Sequence, residues 1–285
     1  MNSQKQQIFS LFKKRDENAN KGDFGRALLI CGSYKMAGAA IICAKATIKS
    51  GIGICDVACE DTVYPVVSQS VPEAVFTPIS KDFDTNDKLN LKKSLKRADV
   101  VVIGCGMGNT DYTDKILRTV LEHCTVPLII DADALNVLSQ DIDILKDKKC
   151  EVIVTPHPRE MSRLTGISTS EIQENRVNVA VDFSKKYNTT TLLKGHKTVI
   201  SDILGEYVIN ESGSVSMATG GSGDMLCGII AAFLGEGFSP FDATRAGAYI
   251  HGLSGEISAK KYSIRATSPT TMLETLSEIY LEIEK

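Results

Sequence analysis

The residues best suited to chemistry in this sequence form a run of small residues that ends in an aspartate. Directly before Asp224 stand Thr219, Gly220, Gly221, Ser222 and Gly223. Apolar residues follow at helical spacing, so the run predicts a turn that leads into a helix. Unpaired backbone N–H groups converge at a helix N-terminus, and glycine lets an anion approach them closely. The stretch therefore indicates a phosphate site.

Asp224 has two interpretations at this position. Beside a bound phosphate, its carboxylate could act as a base that removes a proton from a hydroxyl group. It could instead only cap the helix, which is a common role for aspartate. The helix dipole would also stabilise the carboxylate and weaken it as a base. We favour the phosphate-site interpretation because turn, aspartate and apolar helix occur together.

Length, charge and hydropathy exclude several classes of protein. A chain of 285 residues can hold one large α/β domain or two small ones. The net charge of −3 comes from mixed acidic and basic residues, so we expect no nucleic-acid partner. The apolar runs are too short to cross a membrane. The polar N-terminus lacks the apolar core of a signal peptide, so we expect a cytoplasmic protein.

Eight cysteines are present, mostly inside apolar runs. They show neither a two-residue spacing nor a histidine at metal-binding spacing. We therefore expect buried, reduced thiols that behave as small hydrophobic residues, and no zinc site.

Strand and helix patterns alternate along the chain. Strand patterns occupy 27–31, 52–58, 99–103, 127–131, 151–155, 190–194 and 198–201. Helix patterns occupy 3–14, 36–50, 111–123, 170–187, 240–260 and 269–283, besides the helix after Asp224. This alternation predicts a three-layer α/β fold, with a mostly parallel central sheet and helices on both faces. We find no repeat or linker and expect one domain over 1–285.

Ligands of such sheets bind at the carboxyl ends of the strands. Residues directly after predicted strands are therefore candidates for one shared site: Gly32, Ser33, 104–108, 131–133, His157 and 194–198, together with 219–224. The glycine loop 104–108 could equally be a plain turn.

Four of these candidates have an alternative role. His157 is held between two prolines, and we favour a site role over a packed core histidine. Asp131 and Asp133 could bind a hydrated cation, but Asp133 could simply cap a helix that starts at Ala134. Lys194 could bind a phosphate or be a solvated strand end.

Taken in order, nine short motifs resemble those of the ADP- or ATP-dependent NAD(P)H-hydrate dehydratases. They are Lys21-Gly-Asp-Phe-Gly25, Gly38-Ala-Ala-Ile41, Ser50-Gly-Ile-Gly53, Gly104-Cys-Gly-Met-Gly108, Asp131-Ala-Asp-Ala-Leu-Asn136, Thr155-Pro-His-Pro-Arg-Glu160, Lys194-Gly-His-Lys-Thr-Val199, Met217-Ala-Thr-Gly-Gly-Ser-Gly-Asp224 and Tyr249-Ile-His-Gly-Leu-Ser-Gly255. Three positions depart from the family pattern: Arg159 follows the Pro-His-Pro triplet, 213–216 replaces a Gly-Asn-Pro-like run, and Cys105 replaces the proline of a Gly-Pro-Gly loop.

The resemblance implies a ribokinase-like fold and a cofactor-repair reaction. The substrate would be the S form of hydrated NADH or NADPH, called NADHX and NADPHX. ADP or ATP would phosphorylate the ring hydroxyl, and loss of phosphate would restore the normal cofactor. Family members often carry an additional epimerase domain, and we expect none here. Relatives form homo-oligomers, often tetramers, so we expect a homo-oligomer.

The resemblance also implies a role for each site residue. Asp224 would be the catalytic base and would contact the substrate, as would Ala39, Gly106, Gly108 and His157. The nucleotide would lie against Lys194, Gly195, His196, Lys197 and Thr198, and against Thr219, Gly220, Gly221, Ser222 and Gly223. Magnesium would bridge the phosphates, without an assigned protein ligand.

Other functions use some of the same features. A kinase for a vitamin alcohol would need the same aspartate and glycine turn, although the Pro-His-Pro and Lys-Gly-His-Lys-Thr stretches argue against it. A non-catalytic nucleotide sensor would not need Asp224. A NAD-dependent dehydrogenase is disfavoured because no Gly-x-Gly-x-x-Gly follows the first strand.

Overall fold

The computed structural model describes residues 3–285, whose strands form one nine-stranded sheet. The strands are β1 (Arg26–Ile30), β2 (Ile54–Ala58), β3 (Val75–Phe76), β4 (Val100–Ile103), β5 (Leu128–Ile130), β6 (Val152–Val154), β7 (Thr189–Leu193), β8 (Val199–Ser201) and β9 (Tyr207–Ile209). Their order across the sheet is β3-β2-β1-β4-β5-β6-β7-β8-β9.

The sheet is parallel from β3 to β7 and antiparallel beyond it. Leu29 of β1 pairs with Val57 of β2 on one side and Val102 of β4 on the other. At the far edge, Leu192 of β7 faces Ile200 of β8 in an antiparallel hairpin, and β9 continues that pattern. The predicted mostly parallel sheet is confirmed.

Helices cover both faces of this sheet. They are α1 (Ser3–Phe9), α2 (Ala37–Lys49), α3 (Tyr64–Ser70), α4 (Thr85–Leu95), α5 (Asp111–His123), α6 (Ala132–Leu138), α7 (Pro158–Thr165), α8 (Thr169–Glu174), α9 (Arg176–Tyr187), α10 (Ser222–Gly235), α11 (Pro240–Tyr262) and α12 (Pro269–Ile283).

Two apolar clusters, one on each face, make the three layers. Side chains alternate along a strand, so Leu29 enters the cluster formed with α2, α10, α11 and α12, whereas Leu28 and Ile30 enter the cluster formed with α4 to α9. The central strands are buried on both faces, as their continuous apolar runs predict.

Two predicted helices differ from those observed. The N-terminal helix ends at Phe9, not at residue 14, because the chain turns and Phe12 packs edge-on against Phe233 with ring centroids 5.0 Å apart. The predicted helix 170–187 is divided into α8 and α9 at Asn175, whose ψ of 35° leaves the helical range. In both segments, tertiary packing or a local cap outweighs the apolar periodicity.

Five elements were not predicted: α3, α4, α7, β3 and β9. The start of α4 did carry a sequence signal, because Asp84 and Asp87 form a reciprocal capping box there. Across residues 3–285, every helix is too short or too polar to cross a membrane.

Candidate functional site

The small-residue turn and α10 form the centre of the site. Gly221 precedes the helix with a φ of 88°, a conformation that favours glycine, and the helix begins at Ser222. Asp224 lies in the first turn and makes no capping hydrogen bond, so the interpretation of Asp224 as only a helix cap is wrong. Its carboxylate is therefore available for other contacts.

A buried ion pair lies beneath this turn. Lys194 follows β7, and its Nζ donates to Oδ1 of Asp131, which follows β5, across 2.6 Å. Burial alone would lower the pKa of Lys194, but the carboxylates of Asp131 and Glu160 raise it. Burial acts against the Asp131 carboxylate as well, and the Lys194 charge outweighs it and lowers the pKa of Asp131. Lys194 is therefore paired and mostly buried, with 20% of its side chain exposed, and is not a fully solvated strand end.

The ion pair is close to Asp224. A Cβ placed on Gly223 would lie 3.3 Å from Nζ of Lys194 and 3.4 Å from Oδ2 of Asp131, so glycine keeps the turn open above the pair. Burial raises the pKa of Asp224 to about 6, and the negative charge of Asp131 adds to that effect. A carboxylate with this pKa is ionised at neutral pH and is still a useful base, because its proton affinity is above that of ordinary aspartate.

The loop 104–108 follows β4 and lies beside the start of α2. A Cβ on Gly106 would come within 2.6 Å of Cβ of Ala39, so the loop packs directly on the start of α2. The backbone N–H of Gly108 donates to Oδ2 of Asp133 across 2.7 Å. Because α6 begins at Ala132, Asp133 lies within the helix, and the prediction that it caps a helix from Ala134 is wrong.

His157 has a structural role that the sequence did not predict. It precedes α7 and accepts hydrogen bonds at Nδ1 from the backbone N–H groups of Arg159 and Glu160, at 3.1 and 3.2 Å. The ring proton of the neutral side chain therefore resides on Nε2, which lies 3.3 Å from Oε1 of Glu160. Burial and the Lys194 charge lower the pKa of His157, so the ring is neutral at pH 7.

Glu160 lies beside His157 in the first turn of α7. Its Oε2 accepts from the backbone N–H of His157 across 2.8 Å, which closes a capping box. Burial raises the pKa of Glu160 to about 7, although Lys194 opposes the shift. Glu160 lies in the motif 155–160, but the shift of its pKa depends on burial, which the sequence does not show.

The loop after Lys194 lies at the surface. Gly195, His196 and Lys197 are exposed, and Lys197 adopts a positive φ of 55°. Beneath the loop, the Arg176 guanidinium donates to the carbonyl oxygen of Leu193 across 2.7 Å and to that of Lys194. Thr198 closes the loop by donating to the carbonyl oxygen of Gly195 across 3.0 Å. The loop is thus supported from below and open above.

A histidine and four cysteines lie at the site without having been predicted as site residues. Oγ of Ser222 lies 3.2 Å from Nε2 of His251, whose pKa is lowered to about 4 by burial. Four buried thiols lie behind Asp224, those of Cys31, Cys43, Cys105 and Cys227. Sequence spacing does not reveal them, because each belongs to a different element.

Two surface clefts lie away from this edge. One, of about 400 Å³, is bordered by residues that precede β5, β6 and β7, among them Pro127, Glu151 and Asn188. The other, of about 640 Å³, lies between residues 11–24 and 236–242. Neither includes a predicted site residue.

Comparison with known proteins identifies the family of this chain. A family model described as NAD(P)H-hydrate dehydratase matches residues 27–278. The ADP-dependent (S)-NAD(P)H-hydrate dehydratase of Neisseria meningitidis is 36% identical over 90% of this chain and 84% of its own length. The bifunctional NAD(P)H-hydrate repair enzyme of Moorella thermoacetica is 34% identical over 97% of this chain. The chain spans about half the length of the bifunctional relatives that it matches.

Solved structures give the same result. An ADP/ATP-dependent NAD(P)H-hydrate dehydratase from Bacillus subtilis, crystallised with ATP and Mg²⁺, has a TM-score of 0.86 at 28% identity and covers 98% of this chain, with 97% of its own length. A ribokinase-like superfamily protein from Enterococcus faecalis has a TM-score of 0.85 at 30% identity, and covers 99% of this chain and 95% of its own. The ribokinase-like fold is confirmed, and the chain belongs to the NAD(P)H-hydrate dehydratase family.

Proposed function

We propose that this protein repairs (S)-NADHX and (S)-NADPHX, using ADP or ATP to drive loss of water. The observation that carries the proposal is the position of Asp224, which lies in the first turn of α10 with a pKa of about 6, above the Lys194–Asp131 pair. The relatives that this chain matches over most of their length carry the name of this activity.

Asp224 acts as the base in the first step. It removes the proton from the ring hydroxyl, whose oxygen then attacks the terminal phosphorus of the nucleotide. The bond from that phosphorus to the rest of the nucleotide breaks, leaving AMP from ADP or ADP from ATP. The ring nitrogen then expels phosphate, which leaves more readily than hydroxide, and the neighbouring ring carbon loses a proton to solvent, which restores the reduced nicotinamide. Most of this catalysis is positioning and charge stabilisation.

The backbone at 220–223 receives the transferred phosphoryl group. The N–H groups in the first turn of α10 lack helical partners, and the helix dipole adds partial positive charge. Lys194 adds a fixed positive charge within reach of Gly223. The exposed loop 195–198 and Thr219 hold the rest of the nucleotide.

Magnesium fits this edge as an ion held mainly by phosphate oxygens. Mg²⁺ prefers oxygen ligands and retains several waters. Asp131 is already neutralised by Lys194, whereas Asp224 and Glu160 offer further carboxyl groups near that pair. Bound magnesium would neutralise charge on the phosphates, and the protein groups would orient it from this side.

The hydrated cofactor lies on the side of α2. Ala39 and Gly106 are small and in mutual contact, and Gly108 is fixed through Asp133, so a large ligand can approach this backbone. His157 presents a half-exposed ring whose Nε2–H can donate to a ligand oxygen. We assign Ala39, Gly106, Gly108 and His157 to substrate contacts.

The test is incubation of the protein with hydrated NADH or NADPH plus ADP or ATP. We expect absorbance of the reduced nicotinamide to recover with wild type, and turnover to fall by about two to four orders of magnitude in Asp224→Asn. Asp182→Asn is the matched control, because Asp182 is exposed on α9 and is none of the proposed site residues. Equal turnover in wild type and Asp224→Asn would remove the base from the mechanism.

The same assay separates repair from kinase action. A vitamin-alcohol kinase would release a stable phosphorylated alcohol and leave the hydrate unchanged. Detection of that product, without recovery of the reduced nicotinamide, would overturn the dehydratase proposal in favour of the kinase.

We further propose a cytoplasmic homo-oligomer, with a tetramer as the expected form. All eight cysteines are free and seven are buried, which suits a reducing compartment. Large exposed apolar side chains offer surface for association, among them Tyr34, Leu204, Val215 and Ile264. Light scattering of the purified chain measures the oligomeric mass, and a monomer at micromolar concentration would contradict the proposal.

A further inference from the structure

Four buried thiols from four separate elements form a cluster behind Asp224, which we call the thiol cluster: Cys31, Cys43, Cys105 and Cys227. Cys31 follows β1, Cys43 lies in α2, Cys105 lies in the loop after β4, and Cys227 lies in α10. All four side chains are at most 1% exposed. The proposed repair reaction uses none of them.

The donor atoms of this cluster are close enough to share one ion. The sulfurs of Cys31, Cys43 and Cys105 all lie within 4.8 Å of one another. Two thiolates on one zinc ion lie about 3.8 Å apart, given bonds of about 2.3 Å and tetrahedral angles. Small rotations of the three side chains would bring the sulfurs from within 4.8 Å of one another to this shorter separation.

A second donor group extends the cluster toward the protein surface. Cys105, Cys227 and Asp131 also lie within 4.8 Å of one another, and the Cys227 thiol donates to Oδ2 of Asp131 across 3.3 Å. Asp131 in turn binds the ammonium of Lys194, which is 20% exposed. An ion could therefore exchange between the site edge and the three sulfurs by way of Cys227 and Asp131.

We propose that Cys31, Cys43 and Cys105 form a binding site for a soft, thiolate-preferring cation such as Zn²⁺ or Cd²⁺. Three convergent sulfurs select soft cations over Mg²⁺, which prefers oxygen. Binding replaces thiol protons with metal–sulfur bonds, so the protons released pass to solvent and no oxidation state changes. This proposal goes beyond the sequence-based expectation of buried, reduced thiols, with which the eight free cysteines agree.

Cadmium titration of the reduced full-length protein tests the site, because each cadmium–thiolate bond contributes to a charge-transfer absorbance. We expect one tight cadmium per chain with at least three sulfur ligands by X-ray absorption. Cys43→Ala and Cys105→Ala should each weaken binding by about tenfold or more, an expectation by analogy with the loss of supporting groups at metal sites.

Two control variants test whether the loss of cadmium binding is specific to the thiol cluster. Cys55→Ala removes a buried thiol of β2 outside the cluster, and Cys150→Ala removes one thiol of the separate Cys124–Cys150 pair. Both variants should bind cadmium as wild type does. Loss of binding in Cys150→Ala but not in Cys105→Ala, or fewer than three sulfur ligands, would overturn the proposal. If Cys105→Ala does not fold, Cys31→Ser and Cys43→Ala decide the question alone.

Discussion

At the scale of single residues, Asp224 connects stability with catalysis. Its pKa of about 6 lies above the ordinary value of 3.8, so the folded chain holds this proton more tightly than the unfolded chain does. The penalty for ionising Asp224 therefore appears as pH rises from about 4 to about 6 and persists above that range. Its upper limit is about 3 kcal/mol.

Asp224→Asn should therefore stabilise the fold at neutral pH while it removes activity. The gain in free energy of unfolding should be larger at pH 7.5 than at pH 4.5, because wild-type Asp224 is mostly protonated in the folded state at the lower pH. Urea denaturation of both proteins at the two pH values measures the difference. A gain that does not change with pH would contradict the buried-carboxylate explanation.

The pH dependence of turnover should follow the same group. A base must be deprotonated, so kcat/KM for the hydrated cofactor should rise with pH through about 6 and then level off. An acid limb near pH 4 would show that Asp224 has an ordinary pKa when it acts.

Loss of one partner of the Lys194–Asp131 pair should destabilise the fold strongly, because the Asp131 carboxylate is buried. Lys194→Met leaves the Asp131 carboxylate buried without its partner and should cost about 3–5 kcal/mol of unfolding free energy. The double variant Lys194→Met with Asp131→Asn removes both charges, so it should cost less than the sum of the single variants. A double-mutant cycle by denaturation measures the coupling, and additive costs would contradict a direct pair.

At the scale of elements, α2 packs on the loop 104–108, where we propose that the hydrated cofactor binds. Ala39→Leu adds bulk where Cβ atoms at positions 39 and 106 would already lie 2.6 Å apart. We expect a several-fold higher KM for hydrated NADH and an unchanged dissociation constant for ADP or ATP. Lys49→Leu, at an exposed position in the last turn of α2 and at the opposite end from Ala39, is the control. Loss of nucleotide affinity instead would mean that the pockets are exchanged.

At the same scale, His157 caps the start of α7. His157→Ala removes both the cap and the Nε2 donor, whereas His157→Asn keeps a side chain that can cap. We expect both variants to raise the KM for hydrated NADH, and only the alanine variant to lower thermal stability. Full substrate use in His157→Asn would restrict His157 to capping.

At the scale of the whole molecule, nucleotide binding should stabilise the fold by mass action. A ligand at 100 times its dissociation constant adds about 2.7 kcal/mol, which corresponds to a rise of about 5 °C in Tm for a chain of this size. Thermal scans with millimolar ADP or ATP measure the shift, with AMP as a comparison. No shift with either nucleotide would count against the proposed function.

Much of the fold could be predicted from sequence because its signals are local. Apolar runs such as 99–103 and the turn before α10 depend on neighbours within a few residues, and alternation of strands with helices then requires a mostly parallel sheet. The rule that ligands bind at strand carboxyl ends also selected the right edge for residues 131–133, 194–198 and 219–224 to meet. The segments that hold α3, α4 and β9 carry weaker periodicity, so their structure was missed.

The sequence by itself determined which residues reach the carboxyl edge of the sheet and which family the chain resembles. Only the tertiary structure decided what those residues do to one another. Lys194 and Asp131 are 63 positions apart, and Cys227 lies 96 positions from Asp131, yet each pair is in hydrogen-bond contact. Burial of Asp224 raises its pKa, and packing of separate elements brings the thiols together. Both effects depend on how elements that are distant in sequence pack.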